Sequence, residues 1–204
     1  MAKIYSIRPT WSFKGRRFRG LRGWSGKPLH PPLTDVPIVC YSLAAVFDLI
    51  SYFSDAAHPR ARDFFVAATF VMVAGYIGGF LASLTGFFDW WKGIPRDRSK
   101  GWLGTAKRTQ VWRTINWHAT VMIVVTVVTI VDLISRIPNF EEGQTQLSWL
   151  ILSVTAAVLV LFGAGYGGAL VFEYGFNVEN VDEAWQETEE DHLLGKKQPP
   201  PASA

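Results

Sequence analysis

Leu29-His30-Pro31-Pro32-Leu33-Thr34-Asp35-Val36-Pro37 heads a run of about twenty apolar residues, enough to cross a bilayer core, with a histidine just outside it. Three further runs of similar length follow, so the apolar residues fall into blocks at roughly 34–54, 64–88, 114–135 and 147–172. A soluble domain spreads its apolar residues at helical or strand period; blocks of this length are membrane spans. The sequence therefore predicts an all-α fold, a membrane-spanning four-helix bundle. Cys40 is the single cysteine and lies inside the first block, which excludes a disulfide framework and a cysteine metal motif.

Charge gives the topology. Of twenty Lys and Arg residues, eight precede the first span, seven lie between the second and third, and Lys196 and Lys197 are in the tail. Arg60, Arg62 and Arg136 alone fall on the other side. By the positive-inside rule both termini are cytoplasmic, the orientation of an inner-membrane protein. Residues 1–28 form a basic arm with Trp11, Phe13, Phe18 and Trp24 but no apolar h-region, so it is not a cleavable signal. Next to a span, basic and aromatic residues rest on anionic lipid headgroups; lipid is the expected partner and nucleic acid is not. The transmembrane domain covers 29–176, and 177–204 is an acidic, then proline-rich, tail of disordered composition.

The prolines after His30 suggest that the first helix starts beyond them, capped by Thr34 or Asp35, with His30 held in an extended approach. Asp48 lies near the outer end of that span. The second span carries Gly75, Gly79, Ser83 and Gly86, small residues that admit a neighbouring helix or a flat ligand, and leaves the membrane at Asp89-Trp90-Trp91. The third starts near His118 and ends with Asp132, and the fourth ends at Glu173.

Asp-Leu-Ile-Ser occurs at Asp48 and again at Asp132, 84 residues apart, each time near the outer end of an odd-numbered span. A glycine-rich echo, Ala74-Gly75-Tyr76 against Ala164-Gly165-Tyr166, is offset by 90. Together they predict a 2+2 internal repeat about an axis along the membrane normal. At an offset of 84, His118 corresponds to Thr34, so His30 lies one helical turn nearer the cytoplasm and the two histidines face each other across the axis.

Two imidazoles from different helices suit axial ligation of haem b. His30 and His118 with Asp89, and Glu173 in reserve, suit instead a site for non-haem iron, zinc or manganese. The remaining reading binds no cofactor: His30 caps the interface and His118 pairs with Asp89. Asp48 and Asp132 form a possible proton or cation pair, against which Arg136 at i+4 neutralises Asp132 on the helix surface and Tyr52 donates to Asp48. His58 and His192 read as solvated.

The His30-Pro31 opening with Pro37, Asp48, Gly86-Phe87-Phe88-Asp89, His118 and the ending from Gly168-Ala169-Leu170-Val171 to Tyr174-Gly175 resemble a bacterial family of four-span membrane proteins known as a domain of unknown function. The resemblance covers roughly residues 28–178. In that family the domain is also joined to Rieske or cytochrome modules, which implies an electron-transfer setting and redox subunits as partners. This chain carries neither Rieske ligands nor a CxxCH, so such a partner is a separate chain. With no P-loop, dinucleotide fingerprint or nucleophile elbow, a stand-alone soluble enzyme is not supported. The expectation is a small integral subunit of a respiratory system with haem b or another metal at the histidine pair; a ligand-free assembly subunit and an Asp48/Asp132 transporter are the alternatives.

Overall fold

The structure, a computed structural model, describes residues 21, 28–94, 99 and 109–178. The basic arm, apart from Leu21 and Pro28, most of the loop between the second and third spans, and the tail from 179 onward with His192 lie outside the described residues. Among the described residues there are four α-helices, α1 (His30–Phe53), α2 (Pro59–Gly93), α3 (Gln110–Arg136) and α4 (Leu147–Phe172), with a 3-10 turn at Ile137–Asn139. All four are long and apolar enough to span a membrane. They run alternately up and down, so α1 begins and α4 ends at one end of the bundle, called here the termini end. The short connections after α1 and α3 make the other, the loop end.

The helices start where the chain offers a cap or a proline. The His58 side chain accepts from the Arg60 backbone N–H at 3.1 Å with Pro59 in the first turn of α2, and the Thr109 hydroxyl accepts from Trp112 N–H at 3.2 Å at the head of α3. His58 is thus a helix cap rather than merely solvated. The start of α1 differs from expectation. His30 is itself the first helical residue, and Pro31 and Pro32 sit inside the first turn, where a missing N–H costs nothing. No side chain caps this helix: Thr34 donates instead to Pro31 O at 2.6 Å. His30 therefore has a helical backbone, not an extended one. At 35 residues, α2 is about 52 Å long by helical rise, so it outruns a hydrocarbon core of ~30 Å. Gly175, at φ +56, ends α4 by letting the chain turn back until Phe176 N–H reaches Leu170 O at 2.8 Å.

The hairpins α1–α2 and α3–α4 pack side by side, α1 against α4 and α2 against α3, with the α1–α4 seam the closer of the two. The small residues of α2 receive α1. A Cβ on Gly75 would lie 2.8 Å from the Cys40 Cβ and the Tyr41 ring, and one on Gly79 would lie 3.2 Å from the Tyr41 hydroxyl. That stripe is a helix-packing groove. Tyr41, Ala44, Met72, Val125, Leu133 and Val160 form the apolar core in mid-bundle.

The 84-residue repeat is visible in the packing. Asp48 and Asp132 meet one partner, Phe65 stacks on Trp149 at 5.2 Å, and Gly79 packs on Pro37 as Gly163 packs on Val121. Each pair of equivalents is 84 residues apart. The echo at 90 is not structural: Gly75 is closed over by α1, whereas its counterpart Gly165 has nothing within 4 Å of where a Cβ would be. Glycine-rich matches in apolar helices arise from composition alone.

Candidate functional site

At the loop end Asp48, Asp132 and Arg136 are buried together. Arg136 Nε donates to Asp132 Oδ1 at 2.6 Å, Nη1 to Asp48 Oδ1 at 2.9 Å and Nη2 to Asp48 Oδ2 at 2.5 Å and to Asp132 Oδ2 at 3.2 Å. Thr145 adds a hydroxyl to Asp48 Oδ1 at 2.9 Å, so all four carboxylate oxygens have donors. The Phe65 and Trp149 rings each lie 5.8 Å from the guanidinium carbon. Two expectations are corrected here. Arg136 does neutralise Asp132, but inside the bundle rather than on its surface, because it must also serve Asp48. The partners of Asp48 are Arg136 and Thr145, not Tyr52. Gln144 completes the seal by donating to the carbonyls of Ser51, Tyr52 and Ser54, the open end of α1.

The histidines lie toward the termini end, beyond the apolar core. His30, on the first turn of α1, donates from Nδ1 to Ala82 O of α2 at 2.9 Å. His118, on α3, donates from Nδ1 to Gly163 O of α4 at 2.8 Å. A glycine four residues beyond each carbonyl makes room for the ring. A Cβ on Gly86 would come within 2.7 Å of His30 Cε1, and one on Gly167 within 3.3 Å of His118 Cε1. The two rings have centroids 6.3 Å apart and planes at 84°. Their one-turn stagger appears on both helices of the first hairpin. His30 is four residues before the equivalent of His118, and Ala82 is three residues past Gly79, the equivalent of Gly163. Four residues of helix rise about 6 Å, so the stagger sets the ring separation.

Each Nδ1–H is committed to a backbone carbonyl, so each neutral ring presents Nε2 as a lone-pair donor. Neither Nε2 has a hydrogen-bond partner among the described residues. With metal–nitrogen bonds of ~2.0–2.1 Å, ring centres 6.3 Å apart are within reach of a single metal ion, which His30 and His118 would hold together.

The carboxylates expected beside the histidines stand apart from them. Asp89, one turn past Gly86 on α2, is buried; it faces the Leu21 backbone N–H, and its Oδ1 has no hydrogen-bond partner among the described residues. No hydrogen bond joins it to either imidazole. Glu173 is exposed at the C-terminal cap of α4. Among the described residues no three His, Cys, Asp or Glu side chains gather closely enough to share a metal ion. The set of His30, His118 and Asp89, with or without Glu173, is not assembled, because Asp89 turns to the Leu21 backbone and Glu173 is exposed at the end of α4.

Residues 26–180 match the family model described as Predicted membrane protein (DUF2231). The chain belongs to that family. It is a four-span membrane protein, as the resemblance implied, and the match covers all four helices and both histidines. No curated protein and no solved structure matches the chain. Sequence reasoning missed the carbonyls of Ala82 and Gly163, which no side-chain motif announces. No motif singles out Gly167; its four-residue spacing from Gly163, like that of Gly86 from Ala82, is the available signal.

Proposed function

We propose that this protein is a small integral subunit of a membrane electron-transfer system, holding haem b between His30 and His118. One observation carries the reading: two imidazoles, each tied through Nδ1 to a backbone carbonyl, lie with centroids 6.3 Å apart and planes nearly perpendicular. Backbone acceptors at Nδ1 fix ring orientation and raise ligand basicity, as around metal-bound histidine. The looser α2–α3 seam is the side that would admit a flat macrocycle. When bound, haem supplies one-electron exchange, and the protein sets its potential through burial and hydrogen bonding.

The excess of Lys and Arg at the termini end supports a cytoplasmic location for that end and an inner-membrane setting. The family resemblance supports redox subunits as partners. At the loop end, saturated carboxylate oxygens support a structural clamp rather than transport.

The test is a reduced-minus-oxidised spectrum of the protein purified in mild detergent after expression with haem supplementation, together with elemental analysis. A Soret shift lost in both His30→Ala and His118→Ala is expected. Stoichiometric zinc, manganese or non-haem iron without a Soret band would replace haem by another metal. Absence of both would overturn the cofactor reading in favour of a ligand-free assembly subunit.

A further inference from the structure

The two histidines are held alike but not equally. Gly163 O accepts from His118 alone among the described side chains. Ala82 O accepts from His30 Nδ1 at 2.9 Å and also from the Thr85 hydroxyl at 2.9 Å. Thr85 is buried, three residues on from Ala82, and its Oγ1 lies 3.4 Å from His30 Nδ1. Tyr166 stands at the corresponding place in the other half, three residues on from Gly163, and makes no bond to that carbonyl.

A carbonyl oxygen shared between two donors is a weaker acceptor for each. The hydroxyl polarises lone-pair density that would otherwise draw on the imidazole N–H. His118 therefore has the stronger Nδ1–H bond, more imidazolate character and the more basic Nε2. Stronger donation from an axial imidazole stabilises the oxidised metal and lowers its potential.

We propose that Thr85 is a positioning residue that sets the electronic inequality of the histidine pair: by sharing the Ala82 carbonyl it weakens donation through His30 and raises the reduction potential of the bound cofactor. This rests on the haem reading for its redox half. The hydrogen-bond half stands without it. Thr85→Val removes the hydroxyl at nearly constant shape, and Thr85→Ser restores it. Thr85 also has Leu81 O within 3.1 Å, a carbonyl of its own helix that remains satisfied in the variant.

In the haem-loaded protein, Thr85→Val is expected to shift the oxidised-to-reduced ratio at fixed ambient potential about threefold toward oxidised. That is about 30 mV downward at 59 mV per tenfold, with Thr85→Ser returning to the wild-type value. An unchanged or raised potential in a variant that still binds haem overturns the inference and leaves the haem reading intact. In the cofactor-free protein, proton NMR of the ring N–H groups is a second readout. His30 Nδ1–H should move downfield in Thr85→Val while His118 Nδ1–H stays in place. If the His30 resonance does not move, the shared carbonyl has no effect and the proposal fails, whether or not haem binds.

Discussion

The two ends of this bundle handle buried polarity in opposite ways. At the loop end Arg136, Asp48, Asp132 and Thr145 complete one another's hydrogen bonds, and an apolar stack of Phe65 on Trp149 closes over them. Toward the termini end each imidazole satisfies one nitrogen and leaves the other unbonded among the described residues. Both arrangements come from equivalent elements of a repeated hairpin. A network whose donors and acceptors are all taken is fit to hold helices together; paired lone pairs held in fixed orientation are fit to receive something.

The comparison breaks most easily at Arg136. Arg136→Met leaves two carboxylates buried without a counter-charge, which costs about 3–5 kcal/mol. Unfolding in detergent should show this loss, and adding Asp48→Asn and Asp132→Asn should recover much of it. If Arg136→Met alone leaves stability unchanged, the loop end is not a clamp. Next in size is Asp48→Asn, at about 1.5–3 kcal/mol for charge-assisted bonds lost across the bundle. It should exceed Asp132→Asn in the same assay, because Asp132 bonds within its own helix while Asp48 ties one hairpin to the other.

At the histidine end the comparison becomes one between halves. Gly86→Ala places a methyl 2.7 Å from His30 Cε1 and should cost about 1–3 kcal/mol while displacing the ring from Ala82. Gly167→Ala meets His118 at 3.3 Å and should cost clearly less. Ring N–H shifts and the amplitude of any Soret change, measured for both variants, give the order; equal effects would mean that the pockets are not staggered as described. The smallest effect is expected for Thr109→Ala, which removes the cap of α3 for about 1 kcal/mol in the same unfolding assay. It should leave the loop-end network untouched, as the order of unfolding by hydrogen exchange would reveal.

Much of the fold was legible because length and hydropathy decide it: a bilayer asks for blocks of about twenty apolar residues, and four are present. The meeting of His30 with His118 was legible through the Asp-Leu-Ile-Ser repeat, since one register fixes where both odd helices stand. The clamp was only half legible. Reading Arg136 by i+4 spacing finds Asp132, but the third member is 88 residues away and needs the repeat applied to charge: two equivalent acids inside the membrane require a base, and one is available. The start of α1 was misjudged because two prolines signal a helix boundary without saying on which side of the histidine it falls. The place of Asp89 was misjudged because carboxylates near helix ends find backbone N–H groups, here that of Leu21, which sequence does not display.

Where the second copy of the repeat has Arg136, the first has Tyr52, so the duplicated halves are no longer interchangeable. Two copies of the α1–α2 hairpin would bring together a pair of acids with no base between them, and two copies of α3–α4 would crowd two guanidiniums into the place that holds one. Only unlike halves close the bundle. Expressed as separate fragments, each hairpin should therefore seek the other rather than itself.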